Sequence, residues 1–143
     1  MSRSGGCNCG NVRFEISSDL KETGACHCEM CRKFTGGVFL SVQVAASDFK
    51  LTKVDGLKAY KSSEWAERAF CQDCGSSLFY RMTAPGPMQG SCHVGLGCLD
   101  DAEGIVLTDE IFVDSKPSGY EFAGDTRKMT GAEVFAMYGP PAD

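Results

Sequence analysis

The chain has 143 residues, 43% of them hydrophobic and 23% charged, and a net charge of −5. That length fits one domain over residues 1–143, with a core large enough to form without a metal. The acidic balance argues against a surface made for phosphate backbones, so nucleic acid is not an expected partner, and no apolar run is long enough to span a bilayer.

The first residues, Met1-Ser2-Arg3-Ser4-Gly5-Gly6-Cys7, hold no apolar stretch of the kind that directs export, so a cytoplasmic setting is expected. Val12-Arg13-Phe14-Glu15-Ile16 alternates apolar with polar, which predicts a half-buried strand. A strand end is expected over 24–28. A short helical turn is expected over 28–34, stopped by Gly36-Gly37. Residues 38–44 are rich in β-formers and predict a strand. Strands over 57–61 and 65–70 are joined by the polar turn Ser62-Ser63-Glu64, and 77–81 predicts another strand. Pro85, Gly86, Pro87 and Gly90 make 83–90 a loop. Strands follow over 91–99 and 110–113. Thr130-Gly131-Ala132-Glu133 predicts a capped helix through residue 138, broken by Gly139-Pro140-Pro141. The sum is a mostly β fold, antiparallel, with little helix.

Nine cysteines is an unusual number for this length. The count is odd, no export signal precedes them, and they cluster, which favours metal over disulfides. Cys7-Asn8-Cys9 and Cys71-Gln72-Asp73-Cys74 are pairs whose sulfurs can reach one ion, and glycine follows each, at Gly10 and Gly75. Glycine lets the chain turn sharply enough for backbone N–H groups to point at the thiolates. Four thiolates around zinc close a tetrahedron, the usual structural arrangement. Four buried, unligated cysteines are the bland alternative.

Cys26-His27-Cys28-Glu29-Met30-Cys31 brings three more sulfurs within six residues. Three cannot close a tetrahedron, so they can hold an ion with one open position, the mark of a catalytic zinc. His27 could be the fourth ligand, but in an extended stretch its side chain would point to the opposite face. That leaves it a supporting or packing role, and Cys92 or Cys98 could reach in instead. Three thiolates make the ion a poorer Lewis acid than three neutral histidines would, so a substrate thiol suits the open place better than water. A second four-cysteine site, or a redox-sensitive thiol cluster, is the alternative.

At these residues the chain resembles the glutathione-dependent formaldehyde-activating enzyme family, whose domain is shared with centromere protein V. The resemblance is carried by Gly5-Gly6-Cys7-Asn8-Cys9-Gly10-Asn11-Val12-Arg13-Phe14, by Cys26-His27-Cys28-Glu29-Met30-Cys31-Arg32-Lys33-Phe34-Thr35-Gly36 and by Arg68-Ala69-Phe70-Cys71-Gln72-Asp73-Cys74-Gly75-Ser76. Gly97-Cys98-Leu99-Asp100-Asp101 and Ile111-Phe112-Val113-Asp114-Ser115-Lys116-Pro117 match more weakly. The resemblance implies a β-tent of three small antiparallel sheets. It implies a structural zinc on Cys7, Cys9, Cys71 and Cys74 and a catalytic zinc on Cys26, Cys28 and Cys31. The implied activity is carbon–sulfur lyase chemistry that joins glutathione and formaldehyde.

Arg32 and Lys33 follow the open cluster and could hold a glutathione carboxylate, or be solvated surface charge. His93 could carry a proton or sit partly buried in a strand. Cys92 and Cys98 are expected to fill the core, and Trp65 to pack. Beside the enzyme reading stand two others, a zinc-stabilised binding module and a thiol redox sensor.

Overall fold

The computed structural model describes residues 2–138. Its strands are β1 (Arg3–Gly6), β2 (Val12–Ile16), β3 (Glu22–Cys26), β4 (Phe39–Val44), β5 (Phe49–Val54), β6 (Leu57–Lys61), β7 (Ala66–Cys71), β8 (Ser77–Met82), β9 (Cys92–Gly95), β10 (Val106–Ile111) and β11 (Arg127–Met129). Two helices, α1 (Glu29–Thr35) and α2 (Gly131–Tyr138), complete it with three short 3₁₀ turns. The expected mostly β fold with little helix is what forms. Strands β1-β2-β5 make a small sheet, and the rest join in the order β11-β10-β3-β4-β9-β8-β7-β6. The hydrogen bonding thus gives two sheets rather than three. β10 runs parallel to both β3 and β11, whereas the other ladders among the described residues are antiparallel.

The period-two alternation of the strands sorts side chains onto two faces. Ala69, Phe79, Val94 and Val42 stand opposite one another on β7, β8, β9 and β4, and each is at most 1% exposed. This apolar row faces the small sheet, where Phe14 and Ile16 are buried and the Phe49 ring bridges Phe14 (5.4 Å) and Phe79 (5.0 Å). The core therefore lies between the two sheets. One residue along the same strands, Tyr60, Arg68, Tyr80, His93 and Gln43 stand opposite one another in a second row on the other face.

Several expected elements move. The strand near 24–28 is β3 and ends at Cys26, because Cys28 already caps α1 with extended backbone and a side chain that accepts the Cys31 N–H (3.4 Å). The strand expected over 91–99 stops at Gly95, where residues 96–98 wind into a 3₁₀ turn. The strand expected over 110–113 is β10, which runs earlier and ends where Phe112 takes a left-handed conformation (φ 56°). Its charged positions are answered: Arg127 donates to both Asp109 oxygens (2.7 and 2.9 Å), and Glu110 meets His27. α2 begins with the expected reciprocal cap, Thr130 N–H to Glu133 Oε1 (2.9 Å) and Glu133 N–H to Thr130 Oγ1 (3.2 Å). The expected break at 139–141 lies outside the described residues. No helix among the described residues is long and apolar enough to cross a membrane.

Candidate metal centres

Cys7 and Cys9 lie in the turn between β1 and β2, and Cys71 and Cys74 at the turn between β7 and β8. Their four sulfurs all lie within 4.8 Å of one another, with Cys7–Cys9 at 3.6 Å and Cys9–Cys71 at 3.8 Å. A tetrahedron with metal–sulfur bonds of about 2.3 Å needs sulfurs about 3.8 Å apart, so this donor set fits a soft divalent ion. Each turn closes on a left-handed glycine: Gly10 N–H reaches Cys7 O (3.2 Å, φ 85°) and Gly75 N–H reaches Cys71 O (2.8 Å, φ 79°). Val12 N–H donates to Cys7 Sγ (3.2 Å). The Ser76 hydroxyl, then the Ser76 and Cys9 N–H groups, hold the Cys74 thiol down to about 5. Against the Asn11 N–H, burial and the thiols of Cys7, Cys74 and Cys71 push Cys9 up to about 12. Such a cluster already holds thiolate charge on Cys74, and the thiols that stay protonated release protons when a cation enters.

The second group sits at the junction of β3 and α1. Cys26 ends the strand, Cys28 caps the helix and Cys31 is buried in its first turn, and their sulfurs again lie within 4.8 Å of one another. Hydrogen bonds from Cys26 and Cys31 pull the Cys28 thiol far below the usual thiol range, helped by the Cys31 N–H and the Arg68 charge. The same contact with Cys28, then Cys31 and burial, drives Cys26 far above it. No fourth His, Cys, Asp or Glu joins this group among the described residues. His27 is fully buried, pairs through Nε2 with Glu110 Oε1 (2.9 Å), and leaves Nδ1 without a partner. Its ring packs near Phe122 (6.0 Å). Cys98 Sγ turns to Ser77 O (3.2 Å) and Cys92 is fully buried in the core; burial pushes both thiols up to about 11.

Arg68 carried no role in the sequence reading, yet it meets the triad. It is 6% exposed, and Nη1 and Nη2 each lie 3.7 Å from Cys31 Sγ. Its guanidinium stacks over Tyr80 (4.9 Å) and Phe34 (5.3 Å). The Trp65 indole donates to the Tyr80 hydroxyl (3.2 Å) and steadies that ring. Beyond Tyr80, at 5.8 Å between rings, lies His93, which burial and then the Arg68 charge hold below the usual imidazole range. A hollow of about 290 Å³ opens here, lined by Arg68, Phe34, Phe70, Tyr60, Ser77 and Lys33. Arg32 lies on a second hollow of about 300 Å³ with Gly36, Gly37, Pro117 and Tyr120, and its Nε–H points to His27 O (3.4 Å). Lys33 borders both hollows and pairs with Glu29 (3.6 Å).

Residues 2–115 match the family described as glutathione-dependent formaldehyde-activating enzyme. The chain belongs to this family. An uncharacterized lyase of Schizosaccharomyces pombe is 26% identical over 130 residues, covering 91% of this chain and 92% of that protein. A Phaeosphaeria nodorum protein carrying the family's name is 32% identical over 102 residues, 68% of this chain and 53% of that protein. The chain spans about half the length of several relatives that carry the enzyme name, 53% and 52% for the Phaeosphaeria nodorum and Penicillium rubens proteins. A solved Rhodobacter sphaeroides structure shares the fold with a TM-score of 0.55, at 21% identity, over 73% of this chain and 99% of that one.

Within this family member, the sulfurs that spacing grouped are the sulfurs that the fold groups. The signal for Arg68 is faint in sequence, since its contact with Cys31 spans 37 positions. Its alternation with Ala69 on β7 places it opposite the core, and a cation on that face is the only cue.

Proposed function

We propose that the chain is a zinc-dependent carbon–sulfur lyase acting on the adduct of a glutathione-like thiol with a small aldehyde such as formaldehyde. In this reading Cys7, Cys9, Cys71 and Cys74 hold a structural ion. Cys26, Cys28 and Cys31 hold a second ion with one position open. The observation that carries it is the convergence of three sulfurs with no fourth His, Cys, Asp or Glu among the described residues, beside a hollow bordered by Arg68 and Lys33. The family description names glutathione and formaldehyde, which supplies the substrate class. When bound, a divalent ion there supplies a site for a soft sulfur donor and favours its thiolate form.

The chain's own residues account for the rest. Cys28 fixes the start of α1 while its sulfur faces Cys26 and Cys31, so the triad is set by the backbone rather than by loop closure. Phe34 and Phe70 give the hollow apolar walls that exclude water from the reacting carbon. Arg32 and Lys33 receive the carboxylates of the cosubstrate. In the addition, the thiolate sulfur bonds to the carbonyl carbon and the carbonyl π pair moves to oxygen. That oxygen takes up a proton equivalent to the one the thiol gave up; the lyase direction reverses each step. A reducing compartment such as the cytoplasm would keep the nine cysteines out of disulfides.

Zinc counting per chain tests this. Two ions are expected in the wild type and one in Cys28→Ser with the fold intact. With cobalt substituted, glutathione is expected to shift the sulfur-to-metal charge-transfer bands of the wild type alone. One ion in both proteins, or a wild-type spectrum indifferent to every thiol, overturns the reading.

A further inference from the structure

Arg68 carries a buried positive charge, and among the described residues no carboxylate pairs with it. The neighbouring acid, Glu67, lies on the other face of β7, where Arg81 takes it (3.0 Å). Among the described residues the groups facing the guanidinium are Cys31 Sγ, which both terminal nitrogens address, and the faces of Phe34 and Tyr80. Nε remains buried without a partner. Holding a cation in such a place is costly unless a negative charge comes close. The aromatic sandwich contributes part of the compensation. The sulfur triad has to contribute the rest.

We infer that Arg68 is the charge partner of the sulfur triad, and that it makes the open position selective for an anionic donor, a thiolate, over a neutral one. This rests on the reading of the triad as an open metal site. Three thiolates and a divalent ion carry a net −1, which repels a further anion. Arg68 brings the assembly to neutrality, so a fourth thiolate leaves it at −1 rather than −2. The forked guanidinium can address the sulfur with two nitrogens while stacking between rings, which an ammonium cannot do.

The test uses the full chain loaded with cobalt, with 2-mercaptoethanol, which gives up its proton to bind as a thiolate, as the anionic donor and imidazole as the neutral one. Arg68→Met is expected to weaken thiol binding about tenfold to a hundredfold and imidazole binding by no more than about threefold. The same variant is expected to hold cobalt at the triad as tightly as wild type or more tightly, because a repelling charge has gone. A merely structural arginine would lower ion and ligand binding together, and that outcome overturns the inference. Arg68→Gln keeps an N–H and much of the volume without the charge. It gives the same contrast where Arg68→Met does not retain the four-cysteine ion. Arg68→Lys is expected to recover part of the thiol preference. Equal loss for both probes, or no loss for either, also overturns the role of Arg68 while leaving the open site standing. A wild-type protein that binds neither probe removes the open site itself, and the inference with it.

Discussion

The Cys28 side chain accepts the Cys31 N–H at the start of α1 and also lies with Cys26 and Cys31 in the sulfur triad. Serine is among the best helix caps, so Cys28→Ser separates the two roles: the helix start survives while the ion is lost. For the metal-free protein we expect urea midpoints of variant and wild type to correspond to stabilities within about 1 kcal/mol. His93 provides a pH dependence of known sign. Burial and the Arg68 charge depress its folded-state pKa, so on acidification the unfolded chain takes up this proton first. The stability contributed by the neutral ring is complete above about pH 6.5 and is lost as the pH falls from there through the folded-state value. His93→Gln is expected to flatten that limb, measured as urea midpoints between about pH 7 and pH 5.

Turns between elements bind the four-cysteine cluster to its surroundings. Gly56, between β5 and β6, accepts Gln72 N–H at its carbonyl (2.8 Å), and a Cβ there would stand 2.7 Å from Cys71 Sγ and 2.8 Å from Asp73 Oδ2. Gly56→Ala is expected to hasten ion release from that cluster to a chromogenic chelator without changing the triad, and to lower stability by about 1–3 kcal/mol. How far the elements could be read from sequence follows the same physics. β2, β6 and β8 were legible because composition or alternation marks each. β1 was not: Arg3-Ser4-Gly5-Gly6 has no apolar side chain, and at Gly5 the backbone approaches so closely that a Cβ would meet Cys98 O at 2.3 Å. β5 does alternate, with Phe49 and Leu51 against the core and Lys50 outward, and its signal resembles that of any amphipathic strand. The expected strand begins too late, at Glu110, because Asp109 disguises the earlier part of β10 and its charge is paired only by Arg127, far along the chain. Both sulfur sets could be read because ligand spacing is local in Cys26, Cys28 and Cys31 and paired in the others. Arg68 could not, since its contact with Cys31 exists only once β7 lies against α1.

At the scale of the molecule, an ion in the four-cysteine cluster would tie the turn after β1 to the end of β7, Cys9 and Cys71 being 62 positions apart. Treated as a cross-link of the kind a disulfide makes, a loop of that length stabilises by about 4 kcal/mol. Stripping that ion with a strong chelator is therefore expected to lower the thermal midpoint by on the order of 10 °C, followed by scanning calorimetry. Cys28→Ser, in which the four-cysteine set is untouched, is expected to show the same drop. The two transverse rows of the large sheet have a consequence of their own. Ala69, Phe79, Val94 and Val42 differ by a single position from Arg68, Tyr80, His93 and Gln43, so a strand shifted by one residue exchanges insulator for circuitry. A wrongly assembled copy would strand its arginine in oil and leave its sulfurs without a counter-ion, making errors in assembly chemically mute.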